Sequence, residues 1–426
     1  MKSTAVVAGN EEVKVMLSDG SSQSPTDDRS SGVYYWLNKV KPVVVTCSIV
    51  ILASGVMLAV ALLARYLTKQ EEWSHDEAYF KNMVEKINSK NSSTWKARYT
   101  LHAVSYMDAR PYNASDKETD PEEQDQIHKF LNEHDIINMS YEHIKKLDSQ
   151  SIDIPPQFDA RQKWWKCYGL NTVPNQGSCG SCWAVSLVSV ISDRICIASN
   201  QTRNLYISAQ DLVSCCTECG EGCTGERISL TSAAFWKENG IVTGGPFGSN
   251  EGCRPYERNS DCGAPCSPLY FQADYTPKCK KECQPLFDKR SYLEDKNYAK
   301  SVYFLKIFAP VSNPTTANEK LLTELEKRSD EQIIIQMKKE LMLHGPFRVC
   351  LFLTEDFQLY DSGVYNHAEG KQLYGHCVKV IGWGVEGGVK YWTAVNTWGR
   401  EWGDNGLVLL AEDIYFEDVV AGLPKL

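Results

Sequence analysis

Fifteen of the sixteen cysteines in this 426-residue chain lie between Cys167 and Cys377. Cysteine at that density implies a disulfide framework formed in an oxidising compartment, although spacing alone does not give the pairing. Two of these cysteines sit in Gln176-Gly177-Ser178-Cys179-Gly180-Ser181-Cys182-Trp183. A C-x-x-C pair reads as a redox dithiol, as half of a zinc site, or as two positions of which one is bridged. After it, Ala184, Leu187, Val188, Ile191 and Ile195 recur at helical spacing, with Ser186, Ser189, Ser192 and Asp193 between them. Cys182 is therefore predicted to open a helix that buries one stripe. The positive end of a helix macrodipole favours thiolate, and the Gln176 amide stands six residues upstream, so Cys182 is the candidate nucleophile.

A nucleophile needs a base, and histidines are few. Five of the eight (His75, His102, His128, His134, His143) precede Ile154. His344, in a His-Gly-Pro turn, and His367, in a polar loop, read as solvated surface. His376 is followed by Cys377, Val378, Val380 and Ile381, a buried-strand pattern interrupted by Lys379. A histidine at the mouth of such a strand is held rigidly and suits a general base, although a core histidine is the plainer reading. A second strand pattern, Tyr391 to Val395, leads into Asn396-Thr397-Trp398-Gly399. An amide oxygen on one imidazole nitrogen fixes the tautomer that faces the thiol, which completes a nucleophile, base and orienter set. Trp398 is placed to cover that contact; Asn396 taken alone is an ordinary turn residue.

These segments resemble the papain family of cysteine proteases, and its cathepsin B branch in particular. The C-G-S-C-W string at 179–183 is a family signature. The likeness continues through Pro156 to Arg161, Ser192 to Ile197, Gly252 to Tyr256, Thr276 to Cys279, Ser362 to Tyr365, Trp402 to Gly406 and Val419 to Gly422. It implies an α+β, two-lobed fold over residues 154–426, with Cys182 on a helix of one lobe, His376 and Asn396 on strands of the other, and the cleft between. It also implies peptide-bond hydrolysis through an acyl-enzyme, with Gln176 and the Cys182 backbone N–H as oxyanion donors. The implied disulfides are Cys167–Cys196, Cys179–Cys223, Cys215–Cys279, Cys216–Cys219, Cys253–Cys283 and Cys262–Cys266. That leaves Cys47 and Cys182 unpaired, and Cys350 and Cys377 as buried, inert thiols.

The chain departs from the family pattern in places. His376 lies further from Cys182 than the roughly 130–150 residues of the signature. A polar insertion near Val311–Asp330, opening as a loop, accounts for part of this. The occluding loop that gives cathepsin B its exopeptidase activity carries adjacent histidines. Here three residues separate Cys262 from Cys266, and no histidine lies between Cys253 and Cys283. An endopeptidase without dipeptidyl carboxypeptidase activity is the expectation. Among the expected substrate-binding residues, Glu226 follows Gly225 where the family places a second glycine, so a side chain is expected to narrow the cleft and restrict φ. Asp418 stands where cathepsin B has a glutamate in the pocket for the second residue before the scissile bond, so basic or aromatic side chains are expected there. Trp398 completes that group.

Residues 43–64 carry no charge, are long enough to span a bilayer, and begin too late for a cleavable signal peptide. They read as a signal anchor, with residues 1–42 a polar cytosolic tail. The disulfides orient the C-terminal side to the lumen or exterior, as do the sequons at Asn91, Asn113, Asn138 and Asn200. The expectation is a single-pass type II protein, endolysosomal or secreted after processing. Residues 71–153 resemble a cathepsin B-type propeptide at Ile87 to Ala97 and Asn138 to Tyr141, expected to run through the cleft; a mere stalk is the alternative. Residues 71–166 lack cysteine, so a cut between Leu147 and Pro155 leaves no covalent tie to the anchor.

With 42% hydrophobic residues and net charge −9, the chain has ample core and no basic surplus for nucleic acid. The expected partners are protein or peptide substrates and the membrane, with neither metal nor cofactor. Two competing readings remain at this level. One is a catalytically silent adhesion or scaffold protein, which Glu226 and the insertions favour; the other is a thiol-disulfide oxidoreductase using Cys179 and Cys182.

Overall fold

The computed structural model describes residues 52–64, 73–106, 121–220, 222–228, 230–259, 261–267, 276–311 and 314–426. The chain divides into residues 1–68 and 69–426. In the first unit residues 52–64 are helical, and Leu52, Val56, Met57, Leu58, Val60, Leu62 and Leu63 are all exposed. Among the described residues no helix is long and apolar enough to cross a membrane; the remainder of the expected anchor, residues 43–51, lies outside them.

The second unit is built on a nine-stranded sheet. Its strands are β2 (Trp95–Ala97), β4 (Phe158–Asp159), β5 (Ala299–Ile307), β6 (Phe347–Thr354), β7 (Tyr360–Tyr365), β8 (Gln372–Glu386), β9 (Val389–Val395), β10 (Leu407–Ala411) and β11 (Asp418–Pro424). They run in the order β2-β7-β10-β9-β8-β6-β11-β5, with β4 on β8; β1 (Trp73–Ser74) and β3 (Ser105–Tyr106) form a separate pair. Pairing is antiparallel except between β7 and β10. The long β8–β9 hairpin turns on Gly387-Gly388, both at positive φ, the conformation a two-residue hairpin loop needs.

Helices α1 (Glu77–Ser89), α2 (Pro121–Glu133) and α3 (Ile136–Ser149) come from the propeptide-like segment. Helices α4 (Cys182–Ala198), α5 (Ala209–Cys215) and α6 (Thr231–Glu238) belong to the cysteine-rich region, and α7 (Ala317–Glu326) and α8 (Asp330–His344) lie between β5 and β6. The polar insertion is thus mostly helical: Thr316 and Glu319 form a reciprocal capping box that starts α7.

Helix α4 packs on β6, β8 and β11. The one-stripe expectation is corrected, because Ser186, Ser192, Asp193 and Arg194 are buried along with the apolar residues. A helix buried all round must satisfy its polar groups internally. Ser186 and Ser192 donate to the carbonyls of Cys182 and Val188. Asp193 meets Lys379 Nζ at 2.7 Å, which explains the lysine inside the β8 run. Arg194 meets Glu340 at 2.7 Å and also donates to the carbonyls of Pro346 and Gly422. A Cβ at Gly169 would collide with Asp193 Oδ1, so glycine is what allows that carboxylate its place.

Among the described residues seven disulfides are present: Cys167–Cys196, Cys179–Cys223, Cys215–Cys279, Cys216–Cys219, Cys253–Cys283, Cys262–Cys266 and Cys350–Cys377. The last corrects the expectation of two inert thiols. Cys350 and Cys377 are directly opposed across β6 and β8, with Cα atoms 4.1 Å apart, a register that the sequence does not state. Among the described residues Cys182 is the free cysteine.

Candidate active site

Cys182 is the first residue of the 17-residue helix α4, and the turn before it is pinned on several sides. The Cys179–Cys223 bridge ties it to 222–224, Gly180 N–H donates to the Cys223 carbonyl at 2.6 Å, and Trp183 Nε1 donates to the Gly222 carbonyl at 3.0 Å. Ser181 Oγ lies 2.7 Å from Tyr256 Oη, whose O–H donates to the Gln176 carbonyl at 2.8 Å. Gln176 Oε1 accepts from Thr397 Oγ1 and its Nε2 donates to the Cys179 carbonyl. An amide nitrogen carries two hydrogens, so one N–H of Gln176 is left for the cleft that it lines.

The state of His376 follows from hydrogen-bond logic. Thr397 N–H, which can only donate, lies 2.8 Å from Asn396 Oδ1 and so identifies that atom as the oxygen. The same oxygen is 2.7 Å from His376 Nε2, which must then carry its hydrogen. Nδ1 is left with the lone pair a base requires. Trp398 packs over the ring at 4.8 Å between centroids, and both His376 and Asn396 are almost fully buried. His376 stands inside β8, four residues after the strand begins, rather than at its mouth.

Burial dominates the electrostatics of the pair. It pushes the Cys182 thiol up to about 11, against hydrogen bonds from the backbone of Cys377 and Trp183 that favour thiolate. It pulls His376 down to about 4, against the Asn396 contact. In this form both groups are neutral across the pH range between those values.

Cys182 and His376 line one cleft of about 490 Å³ with Gln176, Gly225, Glu226, Tyr374 and Asp418. The Cys350–Cys377 bridge forms part of its wall. Glu226 does not obstruct it in the way expected. Its φ is not positive, its side chain is 4% exposed, and its carboxylate accepts from Ser232 N–H at 3.0 Å and meets Arg348 Nη1 at 3.0 Å. Arg348 Nη2 also lies 3.8 Å from Asp418 Oδ1, so one guanidinium, itself fully buried, serves both carboxylates beneath the cleft. Arg348 had a sequence signal, a lone charge inside the apolar run Phe347 to Leu353. Tyr256 and Thr397 had none.

His344 is not solvated surface. It lies in the His143, Glu340 and His344 cluster, whose potential ligand atoms are within 4.8 Å of one another, and burial lowers its pKa. Arg194 already supplies the cation for Glu340. His367 Nδ1 contacts Asp356 Oδ1 at 3.2 Å. Of the sequons, Asn91 and Asn200 are exposed, and Asn113 lies outside the described residues. Asn138 is half-buried on α3, with its amide donating to Asp135 and Asn318.

The propeptide-like segment docks through β2, which adds to the edge of β7 and buries Trp95. Val104 N–H donates to Gln358 Oε1 and Gln358 Nε2 donates back to the Val104 carbonyl. His102 rests against Gly263, inside the short Cys262–Cys266 loop. No described residue of this segment lines the cleft; residues 107–120 lie outside those described.

The sequence profile of papain family cysteine proteases matches residues 154–419. The chain is 38% identical over 298 residues to a cathepsin B-like cysteine proteinase 6 of Caenorhabditis elegans, covering 67% of this chain and 70% of that one. It is 33% identical over 353 residues to a cathepsin B-like cysteine proteinase of Schistosoma japonicum, covering 80% and 90%. Among solved structures it is similar to proCathepsin B S9 from Trypanosoma congolense, with a TM-score of 0.55 and 26% identity over 81% of this chain and 98% of that one.

With the thiol held neutral, iodoacetamide labelling of Cys182 in the unprocessed chain is expected to accelerate continuously from about pH 6 to about pH 9. A plateau reached below neutral pH would show instead that thiolate and imidazolium already form in this state. Arg348→Met leaves Glu226 and Asp418 uncompensated and is expected to lose about 3–5 kcal/mol in urea denaturation, part of it recovered by adding Glu226→Gln. Equal stability of wild type and both variants would contradict that account.

Proposed function

Because this chain belongs to the papain family of cysteine proteases, in its cathepsin B-like branch, we propose that it is the zymogen of an endopeptidase that works through Cys182, His376 and Asn396. The observation that carries the assignment of roles is the Thr397–Asn396–His376 chain of hydrogen bonds, which leaves Nδ1 basic in the same cleft as Cys182. Cys182 Sγ attacks the scissile carbonyl carbon as its proton passes to His376 Nδ1. The oxyanion is received by the Cys182 backbone N–H and the second N–H of Gln176. Imidazolium then protonates the leaving amine, and the acyl-enzyme forms. Neutral His376 takes a proton from water as its oxygen attacks the thioester carbonyl; the C–S bond then breaks, the peptide acid leaves, and imidazolium returns its proton to the Cys182 sulfur. Asn396 holds the ring in the tautomer that both half-reactions need.

Endopeptidase action is supported by the short Cys262–Cys266 loop and by the lack of histidine between Cys253 and Cys283. The sequence between Cys253 and Cys283 thus offers no histidine of the kind that latches a substrate's terminal carboxylate. The silent-scaffold reading loses its main support, since Glu226 is engaged with Arg348. An oxidoreductase using Cys179 is disfavoured by its bridge to Cys223.

Membrane anchoring through residues 43–64 is supported by the uncharged run and by the exposure of every large apolar side chain in the helical part, 52–64. The glycosylated, disulfide-bonded side then faces the lumen or exterior, and processing delivers the enzyme to an endolysosomal or secreted destination. Within the cleft, Asp418 lines the wall beside Glu226, and we propose that this acidic wall receives a basic side chain of the substrate.

An internally quenched peptide with blocked ends is expected to be cleaved by the processed protein, and Cys182→Ser is expected to abolish both cleavage and labelling by an epoxide thiol inhibitor. Gln176→Ala is expected to lower kcat about 10²–10³-fold. Release of C-terminal dipeptides as the dominant activity would overturn the endopeptidase assignment. The uncut chain is expected to stay in the pellet on alkaline extraction of membranes, and its appearance in the supernatant would remove the anchor.

A further inference from the structure

We propose that residues 121–149 are a permanent part of the mature enzyme and are not shed with the rest of the propeptide-like segment. This rests on the zymogen reading above. Helix α3 packs against β5, α7 and α8, and its contacts are those of a protein core. Ile136, Ile137, Ile144 and Leu147 are buried within the main hydrophobic cluster, together with Leu322 and Leu325 of α7 and Met337 and Leu341 of α8.

The polar contacts of α3 close groups along the β5 edge of the peptidase domain. β5 is the edge strand of the sheet, and Phe304 N–H on that edge donates to Ser140 Oγ at 3.0 Å. Ser140 is fully buried and its hydroxyl donates to the Ile136 carbonyl, so the contact is dry on both sides. His143 stacks on Tyr303 at 3.7 Å and meets the fully buried Glu340 at 2.6 Å. Gln336 donates to Asp148, and Lys339 donates to the carbonyls of Leu147 and Gln150. Removing α3 would strip the Phe304 N–H and Glu340 Oε2 of these partners, while Arg194 and Tyr303 still hold Glu340 Oε1.

The second observation is that this interface is made by the chain's own insertion. Helix α7 comes from the polar insertion 311–330, and Asn318 at its start bonds Asn132 of α2 and Asn138 of α3. Helix α2 adds His128 on the Ala309 carbonyl and His134 on Glu238. One consequence is topological: a cut within 150–157 alone would leave the enzyme attached, through α2 and α3, to whatever the N-terminal segment is attached to.

The test uses the full chain carrying Cys182→Ser, nicked within 150–157 by an added protease and passed over a gel-filtration column at neutral pH. Peptides of 136–149 are expected in the peptidase-domain peak at about one to one, and Ile144→Asp is expected to lower that ratio at least about tenfold. Loss of 136–149 from the peak in the Cys182→Ser protein would overturn the proposal, whatever Ile144→Asp does. In parallel, the wild-type chain is processed until an epoxide labels Cys182. Labelled enzyme lacking 121–149 would also overturn retention, whereas retention without any labelling would leave it standing and sink the protease reading instead.

Discussion

The register between helix α4 and strand β8 is the constraint on which the catalytic geometry depends, and the Asp193–Lys379 ion pair fixes it. Asp193 lies on the helix that begins with Cys182, and Lys379 lies three residues beyond His376 on the strand. Both charges are buried. A slide of one helical turn or one strand residue would leave each uncompensated in a dry interior, at a cost of several kcal/mol. The pair adds little net stability over apolar residues of the same size, but it penalises every other alignment. Arg194, the next residue on the helix, does the same against β11 and α8 through Gly422 and Glu340. The proposed nucleophile, Cys182, and the proposed base, His376, are therefore positioned by charges three residues or more away along helix and strand.

Around that axis the cleft is assembled from parts that each satisfy a second need. The Cys179–Cys223 bridge shapes the turn that presents Cys182, and the Cys350–Cys377 bridge closes the wall beside His376. Arg348 holds Glu226 and Asp418 along the cleft, which gives two buried carboxylates a shared cation. The desolvation that raises the Cys182 thiol and lowers the His376 imidazole keeps the resting site uncharged. Such a site is quiet until substrate and solvent rearrangement favour proton transfer.

Much of the site was legible before any coordinates. Helical periodicity placed Cys182 at a helix start; strand patterns located His376 on β8, though inside it rather than at its mouth, and Asn396 just past the end of β9 rather than on a strand. Periodicity misled on α4, because a helix buried on all sides has no polar face to mark. Ser186, Ser192 and Asp193 fell between the apolar positions and are instead buried, bonded to helix carbonyls or to Lys379. His344 and Cys350 misled for a related reason: local composition reports polarity, not the partner that a distant segment supplies. The insertion near Val311 read as a loop at its opening, and the capping box that starts α7 lies at the end of that opening.

The chain's sequence by itself determined which atoms can do the chemistry, how many thiols can be bridged, and that a long uncharged run precedes the catalytic part. Those properties are local, fixed by residue type and spacing along the backbone. The tertiary structure alone decided that Arg348 would sit between Glu226 and Asp418, that Cys350 would face Cys377, and that α3 would cover the edge of β5. Each depends on sheet register and on groups far apart in the chain sharing one dry volume, where pairing is enforced by the cost of leaving a polar group unmet.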